Sequence, residues 1–217
     1  MDASVRTRLS RDDRMEQTLE AAHALFAERG YAAVTMDEIA ATIGVTKPLL
    51  YNYFGNKERL YISCLENAGD ALINTIAEAV IETANPGDAL GAGVRAFFSF
   101  LDTDRSAWAV LFDETLPHGG EVFDRVAAYR GQIVDLVSAS LLAQLPMRSR
   151  DAAKVEVEAL STALLGASEA LARWWLRTEA INAKDAAELL ISTVEPGLRN
   201  RSAPTPTSNS QGGPTPR

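Results

Sequence analysis

GVTKPLLYNYFGNKERLY, Gly44 to Tyr61, crowds a proline, three tyrosines and two lysines into one short stretch. A helix that served only to fill a core would not begin with Lys-Pro and then spread hydroxyl-bearing aromatics around its circumference, so a contact outside the chain is expected. Pro48 falls in the first turn, where a missing N–H costs little because the first amides of a helix have no intrahelical acceptor. Stepping about 100° per residue brings Leu50 and Phe54 together as the buried pair. It leaves Pro48, Leu49 and Asn52 on the opposite arc and puts Tyr51 and Tyr53 on its shoulders. Such a strip suits the major groove of DNA: its centre meets base edges while the shoulders, with Lys47, reach phosphates. Asn56 caps the next helix, and Lys57 lies at its amino end, where a lysine and free amides together favour a phosphate.

Upstream, Met15, Leu19, Ala22 and Phe26 line one face of a helix that Gly30 ends. Thr35-Met36-Asp37-Glu38 is a capping-box pattern, in which the Thr35 hydroxyl accepts from the Glu38 amide and the Glu38 carboxylate reaches back. The helix it starts buries Met36, Ile39, Ala40 and Ile43. Gly44 supplies a left-handed stop, and Thr46 caps the next helix after a two-residue turn. This is helix–turn–helix geometry. The expected DNA-facing set is Thr35, Thr46, Lys47, Pro48, Leu49, Tyr51, Asn52, Tyr53 and Lys57.

In order along the chain, Leu19, Ala21-Ala22, Leu25-Phe26, Glu28, Gly30-Tyr31, Thr35, Ile39-Ala40, Gly44-Val45-Thr46, Leu50-Tyr51, Tyr53-Phe54, Lys57-Glu58 and Leu60 make a series. The series resembles the DNA-binding domain of the tetracycline-repressor (TetR) family of bacterial regulators, over about residues 11–61. The resemblance implies a dimeric repressor whose amino-terminal three-helix heads hold a palindromic operator and whose divergent carboxy-terminal domain binds an inducer. Pro48 and Leu49 depart from the small and hydroxylated residues frequent in that family. Base reading is then more apolar, for example against thymine methyls, and no operator sequence carries over.

The rest of the chain is consistent with a small head on an acidic body. Of the 217 residues, 47% are hydrophobic, enough for a real core, and the net charge is −8. Residues 1–60 hold 8 Lys and Arg against 9 Asp and Glu, the remainder 13 against 20, so the acidity sits mostly away from the opening stretch. The single cysteine, Cys64, excludes an intrachain disulfide and reads as a small core residue. No signal-peptide or membrane-spanning run is visible, so the cytoplasm is the expected location. Apolar residues recur at three- and four-residue spacing nearly everywhere and alternating β-branched runs are missing, which predicts an all-α fold of about nine helices. Breaks are expected at Gly30, Gly44, Gly55, Asn85-Pro86-Gly87, Pro117 to Gly120, Pro146 and Pro196-Gly197. The division expected is a head at 11–55, a regulatory domain at 56–200 and a disordered Pro- and Ser-rich tail at 201–217.

The two histidines, His23 in the amino-terminal helix and His118 in a Pro-Gly loop, belong to no metal-spaced pair or nucleophile–base arrangement, so no metal, cofactor or catalytic residue is expected. Asp113-Glu114 and Glu156/Glu158 read as solvated surface. The alternative to a regulator is a helical enzyme or small-molecule carrier that retains a helix–turn–helix head. Phe97, Phe98, Trp108, Phe112 and Trp174 are the expected lining of a pocket for a small hydrophobic inducer. On a helix from about Asp151 to Arg177, Ala163, Gly166 and Ala170 form a strip of small residues beside Leu160, Leu164, Ala167 and Leu171. With the next helix, about Lys184 to Leu198, they are expected to form a two-fold homodimer interface.

Overall fold

The computed structural model describes residues 10–202, and among them the chain forms nine α-helices and one short 3₁₀ turn, with no strand. Helix α1 (Arg11–Ala33) starts at a capping box: the Asp13 amide donates to Ser10 Oγ at 3.0 Å and the Ser10 amide to Asp13 Oδ2 at 3.1 Å. It breaks at Gly30, whose φ of 75° and ψ of 161° no helix accommodates. Helix α2 (Met36–Ile43) begins with the expected Thr35–Glu38 box, at 3.3 Å to the hydroxyl and 2.9 Å to the carboxylate. Met36, Ile39 and Ala40 are buried, Ile43 only half so. Gly44, with φ 68° and ψ 32°, turns the chain into α3 (Lys47–Phe54).

Thr46 holds the N-cap position of α3 but its side chain caps nothing, contrary to expectation. The Leu49 amide donates instead to the Thr46 carbonyl at 3.0 Å.

Asn56 does cap α4 (Lys57–Ile81), accepting from the Arg59 amide at 2.8 Å. At 25 residues this helix spans about 37 Å, beginning in the head and ending in the body. The body adds α5 (Ala89–Thr103), α6 (Arg105–Leu111), α7 (Glu121–Ala143), α8 (Met147–Thr178) and α9 (Ala183–Ser202). Helix α4 packs on α5 and α7, α8 on α7, α9 on α5, and α6 on α1. One apolar core runs from Phe26 through Tyr61 and Leu65 to Leu101, Trp175 and Ile191. Two boundaries differ from the spacing argument. Helix α8 begins directly after Pro146, and α9 continues through Pro196 to Ser202. The helix therefore takes in the first two residues of the expected tail, and the rest of that tail lies outside the described residues.

Candidate nucleic-acid interface and ligand cavity

Helix α3 presents the arc that its spacing requires. Leu50 and Phe54 are buried, Pro48 and Asn52 are exposed, and Tyr51 is 40% exposed. Leu49 and Tyr53 are half-buried, so the strip is narrower than expected. Lys47 Nζ lies 2.7 Å from Asp37 Oδ1, which raises its pKa, and 5.9 Å from the Tyr51 ring. Arg11 sits 5.7 Å from the Tyr53 ring centroid and joins this face, a residue that only the approach of α1 to α3 reveals. The Thr35 hydroxyl is engaged with the Glu38 carboxylate at 2.9 Å, and Arg29 reaches the other oxygen of Glu38 at 2.9 Å. These contacts, the Thr35 hydroxyl first, hold the Glu38 carboxyl below its usual range.

Lys57 is half-buried, 4.4 Å over the Tyr31 ring and 3.5 Å from the Ala32 carbonyl, and burial lowers its pKa. It braces the break in α1 as well as standing at the start of α4.

That break is where head and body join. The Tyr31 amide, freed by the non-helical Gly30, donates to Asp113 Oδ2 at 2.6 Å, and the Ala32 amide to Thr115 Oγ1 at 3.4 Å. Asp113 is in turn oriented by the Thr115 amide at 2.7 Å. Beside it Tyr61, fully buried, donates to the Val110 carbonyl at 2.7 Å and meets Phe26 and Tyr31 edge-on, each at 4.9 Å. Burial drives the Tyr61 phenol pKa far up, so it stays a donor. Asp113 thus ties α1 to the segment after α6 rather than standing as solvated surface, and Glu114 pairs with Arg173. Residues 82 apart in the chain meet here, a pairing that no local spacing encodes.

In the body, a cavity of about 50 Å³ lies between α4, α5, α7 and α8, walled by Ile76, Leu90, Val94, Phe97, Leu136 and Leu164. Its polar side chains are spent on their own helices: Ser140 donates to the Leu136 carbonyl at 2.9 Å and Ser168 to the Leu164 carbonyl at 2.8 Å. The wall is therefore almost wholly hydrocarbon and offers no free side-chain donor. A second hollow of about 10 Å³, bounded by Leu72, Phe112, Val126, Tyr129 and Arg130, lies along the same helices α4 and α7. A larger open groove of about 1020 Å³ between α1, α4 and α6 carries Asp12, Glu16, Glu20 and Glu28 of α1, with Asp104 and Arg105 opposite. Its excess of carboxylates disfavours phosphate.

The five expected aromatics do not converge on one pocket. Phe97 walls the larger cavity and Phe112 the smaller. Phe98 is fully buried, edge-on to Trp175 at 5.8 Å, and Trp108 stacks on Phe112 at 4.1 Å. Trp174 is 38% exposed on the outside of α8. The flat rings fill seams between helices, whereas branched aliphatics leave the space. The sequence signal for that space was the set of small residues, Gly93, Ser140 and Ser168, on otherwise apolar faces.

The outer face of α8 exposes Ala163, Gly166, Ala167 and Ala170, with Leu160 and Leu171 half-buried. A Cβ added at Gly166 would meet nothing within 4 Å. Leu164 is corrected: it is buried and walls the cavity, so it is not offered to a partner.

Residues 19–64 match the family model for bacterial regulatory proteins of the tetR family, and residues 86–195 match the tetracyclin repressor-like, C-terminal domain. The chain belongs to the TetR family. It is 33% identical over 182 residues to the HTH-type transcriptional activator FasR of Mycolicibacterium smegmatis, covering 83% of this chain and 80% of that one. A TetR-like transcriptional regulator from Rhodococcus sp. RHA1 superposes with a TM-score of 0.73 at 30% identity, over 88% of this chain and 99% of the other. The fold is shared with the transcriptional regulator FadR of Bacillus subtilis, solved in complex with stearoyl-CoA, with a TM-score of 0.66 at 21% identity over 82% and 97% of the two chains. This TetR protein is accordingly a DNA-binding transcription regulator with α2 and α3 as its helix–turn–helix. Among the described residues no helix is long and apolar enough to cross a membrane, and no group of three or more His, Cys, Asp or Glu could hold a metal. Burial pushes the Cys64 thiol up to about 12, so it is a packing residue.

Proposed function

We propose that this TetR protein is a cytoplasmic repressor that holds a palindromic operator with the two heads of a homodimer and lets go when a hydrocarbon-chain ligand, of the fatty acyl thioester class, enters the body. The observation that carries the ligand class is the cavity wall itself, almost wholly apolar with both serine hydroxyls donating to their own helices. A ligand bearing polar groups along its length would leave them unpaired there. The stearoyl-CoA bound by the FadR fold neighbour supports the same class. The protein acts by binding and not by turnover.

In the head, residues 11–55, Pro48, Leu49 and Asn52 face bases while Lys47, Tyr51 and Tyr53 hold phosphates, joined by Lys57 at the start of α4, with Thr35 and Thr46 at the helix ends that approach the backbone. In the body, residues 56–200, the small strip of Ala163, Gly166, Ala167 and Ala170 lets the partner's helix approach closely, with α9 alongside. A ligand shifts the head spacing only if it binds one state better than the other.

Fluorescence anisotropy on the protein's own promoter fragment, with and without palmitoyl-CoA, tests the coupling: operator affinity should fall as the thioester is added. A thioester that stabilises the protein yet leaves operator affinity unchanged would refute it. A promoter reporter whose expression drops on deletion of the gene would overturn repression in favour of activation.

A further inference from the structure

We infer that Ile133 sets the ligand length at which the signal reaches the DNA-binding head. The inference rests on the proposed hydrocarbon-chain site and adds a residue that measures the chain.

Ile133, buried on α7, lines both hollows of the body and stands between them. The two are not separate features. On α4 the wall runs Gly69, Leu72 and Ile73 in the small hollow and then Ile76 and Val80 in the larger one. On α7 it runs Val126, Tyr129 and Arg130, then Ile133, then Leu136, Val137 and Ser140. Both series step by three and four residues, which is one continuous face of each helix. The helices therefore frame a single channel that the Ile133 side chain divides.

The end of the channel away from the head lies at helix termini, and we take it as the entrance. Val80 precedes the last residue of α4, Ala89 is the first of α5, and Ser140 stands three residues before the end of α7. The other end is shut by Phe112, whose ring stacks on Trp108 at 4.1 Å and lies 5.7 Å from the Arg130 guanidinium carbon. Phe112 directly precedes Asp113, the acceptor of the Tyr31 amide at the break in α1. A chain end that displaces Phe112 therefore moves the residue that holds the head.

Lengths follow from the helix rise. From Ser140 to Ile133 is about 10 Å, and from Ser140 to Val126 about 21 Å, at about 1.5 Å per residue. An extended hydrocarbon chain advances roughly 1.3 Å per carbon, the projection of a bond of about 1.5 Å. A chain of roughly eight carbons thus stops at Ile133, and one of roughly sixteen passes it and reaches the Phe112 end. Neither hollow has the volume for such a chain unless side chains move, since small-molecule sites occupy about 300–1,000 Å³. The barrier to moving Ile133 then separates ligands that occupy the site from ligands that signal.

The experiment compares octanoyl-CoA with palmitoyl-CoA on the full-length protein, reading binding by calorimetry and operator release by anisotropy. On the wild type both should bind and only palmitoyl-CoA should release DNA. Ile133→Phe should raise the palmitoyl-CoA concentration for half-release about tenfold or more, and by a larger factor than it weakens octanoyl-CoA binding. Ile133→Met, close in volume, keeps the test open should the phenylalanine variant misfold, because its flexible side chain should lower the releasing concentration. Release of the wild type by octanoyl-CoA as readily as by palmitoyl-CoA, or release curves unchanged in both variants, would overturn the role of Ile133 while leaving the site intact. Absence of binding by either thioester would overturn the site itself, and the length gate with it.

Discussion

Gly69→Ala should destabilise the protein although alanine is the better helix former. A Cβ added at Gly69 would lie 2.6 Å from Tyr129 Cε1 and 2.7 Å from its Cζ, about 1 Å inside the roughly 3.5–4.0 Å at which carbon atoms rest. The ring has little freedom to retreat, being buried, with its hydroxyl 2.7 Å from Asp70 Oδ1 and 3.3 Å from the Glu66 carbonyl. Overpacking of this kind costs about 1–3 kcal/mol, and weakening the phenol–carboxylate hydrogen bond adds about 1 kcal/mol. The helix-propensity gain of alanine over glycine offsets about 1 kcal/mol. The net loss is about 2 kcal/mol, which for a chain of this size lowers Tm by about 4–8 °C. Thermal and urea denaturation at one fixed protein concentration would measure it, because a dimer's stability depends on concentration. The same change made in a Tyr129→Ala background should be neutral or stabilising by up to about 1 kcal/mol, so the cycle shows a coupling of about 2–3 kcal/mol. A rise in Tm for the single variant, or an equal cost in both backgrounds, would refute the steric account of this α4–α7 crossing.

Three further perturbations separate the roles assigned to the head and its seam. Tyr61→Phe strands the buried Val110 carbonyl and should cost about 1–3 kcal/mol in urea denaturation; an unchanged midpoint would mean that the bond does not hold α6 to α4. Glu38 titrates below its usual value in the folded protein. Its contribution is therefore complete above the unfolded pKa of about 4.3 and is lost as pH falls through the folded value. The stability difference between wild type and Glu38→Gln should accordingly shrink on acidification below about pH 4, which pH-resolved denaturation reads directly. Lys57→Ala should weaken operator and scrambled duplex alike and reduce the salt slope of log K by about 0.9 per head; wild-type slopes would leave Lys57 only the task of bracing Tyr31.

Chemistry within one helical turn was legible from the order of residues alone. The Thr35–Glu38 box, the left-handed Gly44, the Asn56 cap and the burial of Leu50 with Phe54 follow from groups three or four residues apart. So did the helical character of the body, since periodicity is a local property. The Thr46 cap failed although its spacing is the same, because the Leu49 amide three residues on turns to the Thr46 carbonyl and not to its hydroxyl.

The weighting of aromatics as pocket lining misled because a ring's position along a helix does not say which neighbour it meets. Phe98 turned to Trp175 and Trp174 turned outward, while Ile76 on α4, Val94 on α5, Ile133 on α7 and Leu164 on α8 enclosed the space. The bond from Tyr31 to Asp113, the Tyr61 hydroxyl on Val110 and the continuity of the two hollows past Ile133 join segments 49 to 82 residues apart or helices distant in the chain. Local pattern sets the phase of each helix about its own axis. Only packing against its neighbours sets the angle and height at which two such faces meet, and those decide where a cavity stays open and which loop comes to hold the head.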